Sequence, residues 1–193
     1  MLSRVASSIY WMARYVERAE NLARFIEVTM HVILDQPNGS GEQWEPLVRA
    51  TGDEEYFFKH YQGFSSADVR QFLTFDREYH SSILSSVSIA REDARTVREA
   101  ISSESWEALN SFYLFVRSAS QRGLLGATSE FYIDVKQHAH LFDGIFDNTT
   151  SRGPGWHFAN LGRALERADK TSRILDVKYF TLLPALKDIG TAL

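Results

Sequence analysis

From Val5 onward, apolar side chains return at alternating steps of four and three: Val5, Ile9, Met12, Val16, Ala19, Ala23, Ile26, Met30 and Ile33. That spacing predicts one long helix whose narrow apolar stripe turns slowly about its axis and suits packing against long neighbours. "DQPNGSGE", Asp35 to Glu42, then ends the helix with Pro, Asn and Gly. A short helix is predicted around Trp44 to Ala50, an aromatic segment follows at Asp53 to Tyr61, and Ser65 and Ser66 are candidate N-caps for "ADVRQFLTF". Two longer helices come next. One covers Ser81 to Ile101, with Ile83, Val87, Ala90, Ala94 and Val97 along a face. The other starts at a Ser102 or Ser103 cap and carries Trp106, Leu109, Phe112, Tyr113 and Val116 towards Arg122. "GLLGATS", Gly123 to Ser129, reads as a loop, Glu130 to Phe146 as a helix and "DNTTSRGPG" as a break. Pro154 suits a first turn, and the last long helix runs from Trp156 to Leu183, ahead of Pro184. No alternating β-branched run lies between hairpin turns. The expected fold is all-α: a bundle of four or five long helices with shorter connecting helices.

The chain also repeats itself. "RYVERAENLARFIEV" at Arg14 returns as "RALERADKTSRILDV" at Arg163, offset by 149 positions throughout. Arg14, Glu17, Arg18, Ala19, Arg24 and Val28 recur as Arg163, Glu166, Arg167, Ala168, Arg173 and Val177, while Glu20 and Glu27 become Asp169 and Asp176. The stripe recurs too, as Phe158, Leu161, Leu165, Ala168, Ser172, Leu175, Tyr179 and Leu182. In each copy Arg, Glu and Arg share a face broadly opposite the stripe. Tyr10, Phe25 and Val28 stand on that face as well, so it is not a plain water-facing surface. Three readings of Arg14, Glu17, Arg18, Arg163, Glu166 and Arg167 are open. They are solvated ion pairs within each helix, a buried network in which each Glu meets the other helix's Arg, or an anion-binding or catalytic site.

These segments, together with "SSILSSVSIAREDARTVREAISSESWEALN", resemble the bacterial alpha-E family, helical proteins named for this Glu-Arg motif. The resemblance covers most of the chain, 1–193, as a single domain. Family members continue for about another hundred residues, on the scale of an ordinary domain, so the resemblance implies a chain lacking the C-terminal part of the family. "REYHSSI" also lacks the Asn-Pro expected before Ser-Ile. The resemblance implies a context as well. Alpha-E domains accompany circularly permuted ATP-grasp proteins and transglutaminase-like proteins, so an ATP-grasp ligase, a transglutaminase-like protein and a peptide substrate are the implied partners.

Composition narrows the chemistry. There is no Cys in 193 residues, which excludes a disulfide framework, a thiolate zinc site and a Cys nucleophile, and fits a cytoplasmic location. The net charge of −4, with bases interspersed among acids, gives no pull towards nucleic acid. No apolar run is long enough for a membrane span. Neither His-Glu-x-x-His nor Glu-x-x-His occurs. The i,i+4 pairs Glu27/His31, Asp76/His80 and Asp134/His138, with His140 beside the last, lack an identifiable third ligand, so no metal is expected. Without a Gly-Lys-Ser/Thr loop or G-x-G-x-x-G, no nucleotide cofactor is expected either. The leading functional expectation is therefore a non-catalytic helical partner or scaffold of an ATP-grasp-type peptide ligation or modification system. The alternatives are an enzyme of peptide or amide metabolism, with the motif Glu as acid/base and Arg as carboxylate clamp, and a helical homo-oligomerisation module.

Overall fold

A computed structural model of the protein describes the backbone of residues 1–35 and 44–182 and the side chains of residues 1–33 and 44–175. The expected break after Asp35, the side chains of Asp176 and Val177 in the second copy and of Tyr179 and Leu182 in its stripe, and Pro184 lie outside that description. Among the described residues there are eight α-helices and no strand: α1 (Ser3–Asp35), α2 (Glu45–Thr51), α3 (Glu54–His60), α4 (Ser66–Thr74), α5 (Ile83–Thr96), α6 (Ser103–Ser120), α7 (Ser129–Thr149) and α8 (Pro154–Leu182). Helices α1, α5, α6, α7 and α8 are the long members of an all-α bundle.

The bundle is organised by α1, which packs against α5, α7 and α8, while α6 closes the far side against α5 and α7. Nothing in Ser3–Asp35 breaks a helix, since neither Pro nor Gly interrupts it. Its stripe forms the centre of the core: Ile9, Met12, Val16, Ala19, Ala23 and Ile26 are all buried. The short helices cap one end, where Phe57, Phe72 and Tyr79 form an aromatic cluster. Serine and threonine hydroxyls start the helices. Ser65, Ser82, Ser102 and Thr128 each accept a hydrogen bond from the backbone N–H three residues on.

Three boundaries differ from the sequence expectation. Helix α5 stops at Thr96, not Ile101, because the Val97 N–H turns back to the Ala94 carbonyl. The Gly123–Gly126 stretch of the expected loop is a single 3-10 turn. Helix α7 runs on to Thr149.

The larger difference concerns α8. Its stripe repeats that of α1 in spacing but not in burial: Phe158, Leu161, Leu165 and Leu175 are between 38% and 64% exposed. The helix is rotated so that Ala159, Gly162, Glu166 and Lys170, steps of three and four along its opposite side, face the bundle. The approach to α1 is close at Gly162, where a Cβ would stand 2.4 Å from the Tyr10 carbonyl oxygen. In the first copy the same position is Ala13, also buried. Small side chains in both helices bring the two motif faces together.

Candidate functional site

The two motif faces meet along the α1–α8 contact. Glu166 has no exposed surface and is held by both arginines of the first copy. Arg14 Nε donates to Glu166 Oε2 at 2.9 Å, while Arg18 Nε donates to Oε1 at 2.6 Å and Arg18 Nη2 to Oε2 at 2.9 Å. The guanidiniums are fixed in turn. Arg14 Nη1 donates to the Tyr10 hydroxyl at 3.0 Å, Arg18 Nη1 to Ser81 Oγ at 3.3 Å, and their planes lie over Trp11 and Tyr15. Burial pushes the Glu166 carboxyl up, but the hydrogen bonds and charge of Arg18, with those of Arg14, outweigh it and hold the group below the usual carboxylate range.

The reverse pairing is simpler. Arg167 Nε and Nη2 reach Glu17 Oε1 and Oε2 at 2.8 and 2.9 Å, the bidentate geometry of a guanidinium on a carboxylate, and Asn21 Nδ2 donates to Oε1 at 3.3 Å. Glu17 is buried, whereas the Arg167 side chain is 67% exposed. The fourth arginine goes elsewhere. Arg163 turns to α7, where its Nη1 stands 3.2 Å from Asp143 and its Nη2 2.7 Å from Asp147. Asp147 also accepts from Trp156 Nε1 at 3.1 Å. The duplication is thus not a two-fold site: Glu166 takes two arginines and Glu17 takes one. The cause is α7, which packs on α1 and offers Arg163 two carboxylates one helical turn apart.

Asp143 and Asp147 lie outside the motif, and their i,i+4 spacing is the one signal in the sequence for a paired acceptor. Lys170 is outside the motif too, and its one sequence signal is that it follows Glu166 by one turn on the same face. Among the described residues no cluster of three or more His, Asp or Glu converges on a common point. The carboxylate–histidine pairs are otherwise engaged: Glu27 pairs with Lys136, Asp76 accepts from the Tyr61 hydroxyl, and His138 stacks on Phe112.

Asp143 gives the site a pH dependence. Burial lifts its carboxyl to about 6 against the opposing charge of Arg163, with Glu17 and Asp147 also raising it. Between the unfolded value near 4 and about 6, the folded state keeps a proton that the unfolded chain has lost. The contribution of Asp143 therefore favours folding below that window and is lost as pH rises through it. Glu166 acts in the opposite sense: its contribution is present above the ordinary carboxylate range and is lost as pH falls. Urea melts of the wild type and Asp143→Asn across this window should diverge, the wild type losing up to about 1.4 kcal/mol per pH unit relative to the variant. Parallel curves would mean that Asp143 titrates normally.

These features define a class: a helical bundle held across its first and last long helices by crossed glutamate–arginine pairs. Residues 1–192 match the family model Alpha-E, described as a predicted alpha-helical domain with a conserved ER motif, and the chain belongs to that family. It is 27% identical to uncharacterized proteins of Mycobacterium bovis and of Mycobacterium tuberculosis strain CDC 1551, and 26% identical to one of strain H37Rv. Each alignment covers 93% of this chain and 22% of the relative, so the chain spans about a fifth of the length of the curated relatives it matches. No solved structure matches it. No helix among the described residues is long and apolar enough to cross a membrane.

Proposed function

We propose that the domain is a non-catalytic helical partner in an ATP-grasp-type peptide ligation or modification system, docking the ligase through the outer face of α8. The observation that carries this reading is the outward stripe. Phe158, Leu161, Leu165 and Leu175 sit at the three- and four-residue steps that α1 buries in the core, yet on α8 they face out. A strict 3-4 stripe is the narrow seam that another helix covers. The motif pairs support a structural role beside it. Both oxygens of Glu166 are engaged by guanidiniums and its affinity for protons is reduced. A general acid or base needs the reverse, a carboxyl near the working pH with an oxygen free to reach substrate.

The expected partner is the ATP-grasp protein implied by the family resemblance. Co-expressed with that ligase, the wild-type domain should co-purify with it, and the double substitution Leu161→Asp, Leu165→Asp should abolish the complex while leaving the melting temperature within a few degrees. Both side chains are about half exposed on the outer face, so their replacement removes little from the core. Normal ligase activity in a strain lacking this chain, with no complex recovered, would defeat the proposal. A monodisperse dimer by light scattering that the same substitutions dissociate would replace it with self-association.

A further inference from the structure

Beside the motif pairs, α1 and α8 leave a cleft of ≈ 460 Å³ lined by Glu17, Glu20, Arg24, Arg167 and Lys170, with Asn21 and Thr171 on its wall. Two of its cations are already paired. Arg167 clamps Glu17, and Arg24 pairs with Glu20, which His140 Nε2 also approaches at 3.5 Å. Lys170 is different. The residue is only 9% exposed, yet among the described residues its one ion contact is Asp169 Oδ2 at 3.5 Å. An ammonium carries three donors, and a buried cation with spare donors is costly unless water or a ligand accepts from it. The two carboxylates that act on Lys170 are both shared, Asp169 with Arg173 and Glu166 with Arg14 and Arg18, so its positive charge is only partly matched.

The cleft does not end at its polar part. Arg24, Phe25 and Ile174 also line an adjoining apolar groove of ≈ 260 Å³, which continues along Val28, Val32 and Leu47. The order along the surface is therefore a buried ammonium, polar groups of Asn21 and Thr171, then aliphatic and aromatic side chains.

We infer that this cleft and groove bind the C-terminal end of a peptide, the terminal carboxylate accepting from Lys170 and the last apolar side chains lying along Phe25, Val28 and Leu47. A single negative charge complements this partly matched cation. Amide and hydroxyl groups on the intervening wall suit the N–H and C=O of a peptide backbone, which an acyl chain lacks. The inference stands apart from docking of a ligase on the outer face of α8, because Lys170 and that stripe lie on opposite sides of the helix.

The test is a titration of the whole protein with N-acetyl-Val-Leu bearing a free carboxylate, with the same dipeptide as its C-terminal amide, and with octanoate, read by NMR shifts of the Lys170 and Val28 amides and by calorimetry. The acid should bind saturably at millimolar concentration, with the amide and octanoate each at least about tenfold weaker, a difference of about 1.4 kcal/mol. Lys170→Met should weaken the acid about tenfold and leave the amide unchanged. It keeps the apolar stem and removes a charge that burial already disfavours, so its melting temperature should not fall. Equal binding of acid and amide, or no saturable shift with any probe, overturns the inference. Octanoate binding as tightly as the peptide acid overturns it in favour of a fatty carboxylate. If Lys170→Met fails to fold, the comparison of acid with amide on the wild type decides.

Discussion

Glu166→Ala should cost about 3–5 kcal/mol of folding stability, which is a large part of the stability of an ordinary domain. The carboxylate has no exposed surface, and its removal strands the guanidiniums of Arg14 and Arg18, whose side chains are only 20% and 11% exposed. Much of the loss is the desolvation cost of cations left without a counter-charge, rather than the net worth of the pairs. Glu166→Gln should lie between the wild type and the alanine variant, since the amide can accept from one guanidinium but carries no charge. Glu17→Ala should cost much less, about 1 kcal/mol, because the Arg167 side chain it releases is mostly in water already and can rehydrate. Urea melts of the three variants measure this order. Equal losses at Glu17 and Glu166 would mean that the buried and open halves of the network do not differ as their geometry requires.

The second large effect is expected at Gly162. Inside a helix a Gly→Ala change ordinarily gains about 1 kcal/mol of helix preference, so the naive expectation for Gly162→Ala is stabilisation. Here a Cβ would lie 2.4 Å from the Tyr10 carbonyl oxygen and 3.2 Å from Arg14 Cγ. The nearer atom is α1 backbone, which cannot swing away as a flexible side chain can. Overpacking of roughly 1–3 kcal/mol should outweigh the propensity gain. Gly162→Leu should reach the upper end of that range, because it drives α1 and α8 apart at the level of Arg14. Loss of the Arg14 and Arg18 contacts would follow, and hydrogen exchange at residues 159–170 should quicken along with the fall in melting temperature. Unchanged stability for both variants would show that the helices do not approach so closely.

Much of the architecture was legible because it rests on local periodicity. The α1 stripe, the break at Gly153 and Pro154, and the serine-capped starts of α4 and α6 follow from side-chain spacing and backbone chemistry alone. The repeat also put six motif residues on two matching faces. Spacing could not say which of two faces a helix buries when both carry apolar groups. On α1 the stripe from Ile9 to Ile26 and the motif residues Glu17, Arg18 and Asn21 are both enclosed, while on α8 only the side carrying Glu166 is, so equal sequence patterns have unequal surroundings. Nor could spacing pair Arg163 with Asp143 and Asp147, since that contact depends on where α7 crosses. Lys170 was hidden for a related reason. A lysine among charged neighbours reads as solvated until packing buries it.

The closed, crossed pairing of the two motifs is tested most directly by a double-mutant cycle between Arg18 and Glu166, which lie 148 positions apart in the chain and share two hydrogen bonds. With Arg18→Ala, Glu166→Ala and the double variant compared in urea melts, a coupling of about 2–3 kcal/mol is expected. Losses that add to within about 0.5 kcal/mol would mean that the two residues do not meet, and that the motifs face solvent separately.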